Sequence, residues 1–182
     1  DPQQDRIVTV QYQSLADALA PVGSFQVIAE WEWGEQLVIQ MALDKGVLEP
    51  TWDCVPVGNR WRFDLTCLIE RATKWKRIDW DLAKLKYYWF TKPYIDLGPI
   101  LVLLNRGSMA GSSLHVFADK ERGARVPKMY RLGRYSEIIE YVTRERDAAV
   151  DLLHESVEVL GAIVDRRRRP PSVPELDGGA KP

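Results

Sequence analysis

The stretch Gly58-Asn59-Arg60-Trp61-Arg62-Phe63-Asp64-Leu65-Thr66-Cys67-Leu68-Ile69-Glu70 (58–70) decides how this 182-residue chain is read. Apolar side chains occupy the odd positions Trp61, Phe63, Leu65, Cys67 and Ile69. Polar ones occupy the even positions Arg60, Arg62, Asp64, Thr66 and Glu70, with Leu68 the one exception. A period of two marks a strand with one buried and one wet face. Gly58-Asn59 has the chemistry of a two-residue hairpin loop. It pairs this strand with Trp52–Val57 and sets Asp53 opposite Asp64, about 5 Å away between Cα atoms.

Toward the N-terminus, Leu37, Val38, Met41 and Ala42 recur with a helical period between Gly34 and Gly46, and Glu35 sits in the first turn, where the helix dipole favours an anion. A short strand fits Ile7–Tyr12, and Ser14 looks like the cap of a brief helix reaching Ala20. Phe25–Trp33 fits strand or helix equally.

Toward the C-terminus, Leu82, Leu85 and Trp89 make the apolar face of a helix from about Ile78 to Phe90, stopped by Pro93. Pro99–Leu104 is uniformly apolar, as a strand covered on both faces would be. A Gly/Ser loop, Asn105–Ser113, leads to a short strand at Leu114–Ala118. Ser136 then caps a long helix. Ile139, Val142, Ala149, Leu153, Val157, Leu160 and Val164 lie mostly three or four apart, with Arg146 interrupting the seam. Nearly thirty residues without proline make a helix of roughly 45 Å, more than a small domain covers, so it either folds along its own sheet or meets another chain. The run Arg166–Arg169 and the Pro/Gly-rich end have too little apolar content to order themselves.

These elements predict an α+β (or α/β) fold, with a small mixed sheet around a central hairpin, flanking helices and a long C-terminal amphipathic helix. Residues 1–135 form the core, 136–165 the helix for packing or oligomerisation, and 166–182 a basic, Pro/Gly-rich tail.

Composition narrows the functions. Hydrophobic residues make up 46% and charged residues 28%, which is ordinary for a globular chain able to bury a core without a metal or disulfide. Cys54 and Cys67 lie in expected strands without a CxxC or a histidine-rich neighbourhood, which argues against zinc and for two buried thiols in a reducing, cytoplasmic setting. No apolar run approaches the roughly 18 residues of a membrane span. His115 and His154 offer no nucleophile triad, and the loop 105–113 lacks the Gly-Lys-[Ser/Thr] ending of a phosphate loop.

The net charge of −1 hides an asymmetry. Residues 1–59 carry two bases against nine acids, 60–92 nine bases against four acids, and 120–146 eight bases against four acids. The two basic stretches either form a patch for a polyanion or neutralise the acidic N-terminal third within the fold.

Glu35 on a helix, Asp53 and Asp64 on a hairpin, Glu70 along the same strand and Lys74 after it form an acidic set followed by a lysine. Divalent cations such as Mg²⁺ need two or more carboxylates, and a nearby lysine can orient water. The order of helix with glutamate, hairpin, strand with Arg-Phe-Asp64 and Ile-Glu70, and helix with Asp-Leu-Ala-Lys-Leu-Lys-Tyr-Tyr (81–88) resembles the core of the PD-(D/E)xK nuclease superfamily over about residues 34–118. The resemblance implies Mg²⁺-dependent phosphodiester hydrolysis, with Glu35, Asp64, Glu70 and Lys74 catalytic and Asp53, Asp64 and Glu70 as metal ligands. Arg60, Arg62, Lys76, Arg77, Lys84 and Lys86 would contact nucleic acid. The position of the family lysine holds Ala72, so the core could bind nucleic acid without cutting it. A straight strand would also separate Asp64 from Glu70 by about 20 Å, so sharing a metal requires a bulge, or the trio Glu35, Asp53 and Asp64.

The other reading is a protein-interaction or assembly module that uses the long helix over 139–164 and some of the seven tryptophans, a residue type enriched at interfaces.

Overall fold

The computed structural model describes residues 6–117 and 123–168. The chain begins with an antiparallel hairpin of β1 (Thr9–Leu15) and β2 (Pro21–Ala29), paired from Thr9 with Ala29 to Leu15 with Pro21. A bulge interrupts the pairing between Tyr12 and Ser14, where the Gln13 amide donates to the carbonyls of Ser14 and Val22 at 3.1 and 3.0 Å. The brief helix expected from Ser14 to Ala20 is replaced by the end of β1 and a tight loop closed by Ala16 N–H to Ala20 C=O at 2.9 Å. The ambiguous Phe25–Trp33 divides, with β2 running to Ala29 and a single turn, α1 (Glu30–Trp33), following it. Gly34, at φ 74°, turns the chain into α2 (Glu35–Asp44), the helix expected there.

Residues 61–70 fold as helix. After the two-residue strand β3 (Val57–Gly58), α3 runs from Trp61 to Lys74. Leu65, Leu68, Ile69 and Ala72 are buried at spacings of three, one and three, so Leu68, the exception to the alternation, belongs to the true 3.6-residue period. Phe63, part of the expected strand interior, is 65% exposed. The hairpin with Trp52–Val57 therefore does not form, and Asp53 lies instead in a turn bridged between Thr51 and Cys54. Cys54 is exposed and Cys67 half-buried on α3, a correction to two strand-borne, buried thiols.

The second basic helix, α4 (Leu82–Thr91), starts later than expected because Asp81 caps it, accepting from Lys84 N–H at 2.8 Å. Tyr88 is its buried residue, while Leu82, expected on the apolar face, is exposed. β4 (Ile95–Asp96) pairs in parallel with β3. The apolar run expected as a strand is instead α5 (Leu97–Leu104). Asp96 caps it by accepting from Gly98 N–H at 2.9 Å, and Pro99 falls in its first turn, where a missing N–H costs nothing. The expected strand at Leu114–Ala118 is a helical turn, α6 (Leu114–Phe117), with Ala118 outside the described residues.

α7 (Val126–Arg131) leads into α8 (Tyr135–Arg168), a 34-residue helix. The tail beyond it lies outside the described residues. The fold is thus α+β, with its strands in two separate pairs. One core joins α2, α3 and Tyr88, flanked by Trp61, Trp80, Trp89 and Tyr94. The second joins Leu97 and Leu101 of α5, Leu114, and Ala148, Leu152 and Leu153 of α8. Trp31 stacks on Tyr135 at 4.5 Å between ring centroids, so α1 meets the start of α8. Among the described residues no helix is long and apolar enough to cross a membrane.

Candidate interaction surface

The acids singled out in the sequence are separated by the fold. Glu35 is buried and saturated. Its Oε1 accepts from Ile7 N–H at 2.9 Å and Arg71 Nε at 2.7 Å, while Oε2 accepts from Arg71 Nη2 and from the Trp75 indole at 3.0 Å. Burial alone would raise its pKa. The hydrogen bonds from Arg71, Ile7 and Trp75 together outweigh that and hold the carboxyl below its usual value. Four donors use the lone pairs of a carboxylate, so Glu35 has none left for Mg²⁺.

Asp64 and Glu70 share α3 but stand six residues apart, about 9 Å along the axis and on different sides. Asp64 is exposed on α3, yet its carboxyl lies near other acids. Desolvation, with the like charges of Glu145 and Asp96, pushes its pKa up to about 7. Glu70 and Lys74 line a different place, an open cleft of about 610 Å³ between α3 and α4 that also touches Ile69, Trp80, Leu82 and Leu85. Asp53 lies in the exposed turn 51–54. Among the described residues no three His, Cys, Asp or Glu gather to hold a metal, and these acids do not fit a shared Mg²⁺ ion.

The candidate nucleic-acid contacts have several structural tasks. Arg62 donates to the Tyr94 hydroxyl at 3.2 and 2.9 Å and lies over the rings of Trp89 and Tyr94. Arg77 reaches Gln36 at 3.3 Å, and Lys84 holds the carbonyl of Asp79. Arg60 sits at the head of α3 with φ 63°. Lys76, at φ 54°, follows α3, and Lys86 is exposed on α4.

The unresolved demand for burial is on α8. From Ile138 to Ser156 the helix lays an apolar face on the domain, burying Ile138, Val142, Ala148, Leu152 and Leu153. Past Ser156 the domain ends beneath it. Val157, Val159, Leu160, Ile163 and Val164 continue the pattern but remain 43–57% exposed. Of the seam read from the sequence, Val142 and Leu153 are covered, Ile139 is exposed, Ala149 is half-buried, and Val157, Leu160 and Val164 are bare, while Ile138, Ala148 and Leu152 complete the covered face. About 12 Å of helix projects with an apolar stripe facing solvent.

Comparison with known protein families, characterised proteins and solved structures finds no match.

Sequence reading missed Asp96. Its Oδ1 accepts from Arg60 N–H at 3.0 Å and Gly98 N–H at 2.9 Å, so one carboxylate serves the N-termini of both α3 and α5. Asp-Leu-Gly-Pro (96–99) carries the local signal of a capped helix start. The link to α3 depends on the β3–β4 pairing, which two residues are too few to announce.

Proposed function

We propose that this chain is a protein-interaction or assembly module whose distal α8 is the docking element. The observation that carries the reading is the bare stripe of five aliphatic residues beyond Ser156. A helix keeps an amphipathic pattern past its own domain at a cost in solubility, and a partner turns that cost into affinity. Each side chain is roughly half-exposed, so covering all five contributes on the order of 5 kcal/mol before the entropy of association is subtracted. Cys54, exposed in the turn 51–54, suits a reducing cytoplasmic setting.

The test compares the tagged wild-type chain with a Val157→Ser/Leu160→Ser/Val164→Ser variant in fresh native extract by size-exclusion chromatography. The wild type should elute well above the mass of a 20.9 kDa monomer, and the variant at it, with unchanged circular dichroism. A wild type that is monomeric in the extract and also, once purified, at high micromolar concentration would remove the reading.

A nucleic-acid role has one observation in its favour. α4 presents Tyr87 and Phe90, 65% and 88% exposed, beside Lys84 and Lys86, and aromatic rings between cations suit single-stranded bases. Binding that weakens steeply with salt and is lost in Tyr87→Ala/Phe90→Ala supports it; salt-independent or absent binding removes it.

A further inference from the structure

Resting on the assembly reading, we infer that the occupant of the bare α8 stripe is the same stripe of a second copy of this chain, packed antiparallel. Two independent features point to this partner.

The first is charge order along the helix. Asp147, Asp151 and Glu155 precede the stripe, Glu158 lies within it, and Asp165 followed by Arg166, Arg167 and Arg168 makes the last helical positions after it. An antiparallel pair centred between Leu160 and Gly161 sets Val157 opposite Val164. It also brings Glu155 of each helix level with Arg166 of the other. A parallel pair would place arginine beside arginine. The segment is complementary to itself in one orientation only.

The second is Gly161, one turn from both Val157 and Val164 at the edge of the stripe. Glycine is the poorest helix former apart from proline, yet a Cβ at this position would meet nothing within 4 Å. Nothing among the described residues demands it. A second helix crossing here does, because a missing side chain lets two backbones approach closely. The overlap of about two turns is short, so association is reversible and weak, in the micromolar range.

The experiment uses the purified full chain. Sedimentation equilibrium from low to high micromolar concentration should show a reversible monomer–dimer exchange. Leu160→Ser should weaken it at least tenfold, and Gly161→Leu should weaken it similarly although it improves helix propensity. Orientation is read by disulfide trapping in a Cys54→Ser background. In the antiparallel pair Leu160→Cys links to itself, and Val157→Cys links to Val164→Cys faster than either links to its own kind. Equal self-linking of all three variants means a parallel pair and overturns the inference. A purified chain that stays monomeric overturns it too. In that case a native-extract species that remains large leaves the assembly reading standing with a different partner, and a monomer in both settings removes both.

Discussion

Arg71 of α3 closes on Glu35 of α2 as a two-pronged ion pair with both side chains 6–7% exposed, and the pair ties two helices and the start of the hairpin to one point. A buried pair of this kind adds little net stability over an apolar replacement, but breaking it strands a charge in the core. Arg71→Met should cost about 3–5 kcal/mol in urea unfolding. The double variant Glu35→Met/Arg71→Met should recover much of that loss. Additive losses in the double variant would show that the two residues act separately.

The same pair gives an acid limit. Glu35 has its folded pKa held below the ordinary value of 4.5. Its contribution is therefore complete above that value and disappears as pH falls through the folded pKa. Wild-type stability should drop steeply below about pH 4. Glu35→Gln, less stable at pH 7, should lack that part of the slope.

Asp64 works in the opposite sense. With a folded pKa of about 7 against 3.8 for a free carboxyl, it stays protonated in the fold while the unfolded chain ionises. Stability should therefore fall as pH rises from about 4 to about 7 and level off above that. Asp64→Asn should flatten this limb and gain about 1 kcal/mol at pH 8, a modest figure because water screens part of the side chain. A slope unchanged in the variant would assign it to another group.

Asp96 offers the sharpest backbone prediction. One carboxylate serves two helix N-termini, so Asp96→Ala should cost about 1–3 kcal/mol, more than an ordinary single cap. Asn at this position keeps an acceptor and should lose less. Equal losses for Ala and Asn would place the effect in charge rather than capping.

How far the sequence carries can be seen in particular residues. The helix α8 is legible because a three-to-four spacing of apolar residues recurs from Ile139 to Val164 with only Arg146 breaking it, and no strand mimics that. The helix α2 is legible from Gly34, Gly46 and the Leu37–Ala42 pattern. The stretch 61–70 misleads because Phe63, 65% exposed, completes an alternation that the core does not use. Leu65, Leu68, Ile69 and Ala72 alone spell a helix. The apolar run 99–104 misleads for a different reason. A short helix against a core can be apolar on most sides, and Leu103 stays 75% exposed. The partnership of Glu35 with Arg71 spans 36 residues, and no local pattern announces it. Without it, Glu35 reads as a free ligand when it is a saturated structural anchor.

The bare stripe of α8 is the centre of the account, and contact at Leu160 tests it most directly. A photoreactive benzophenone residue would be placed at position 160 of the full chain, with a control at the exposed Glu140 on the proximal part of the same helix, and both irradiated in native extract. The account predicts a discrete adduct of defined mass from position 160 and none from position 140. No adduct at 160, or the same diffuse products from both positions, would contradict it.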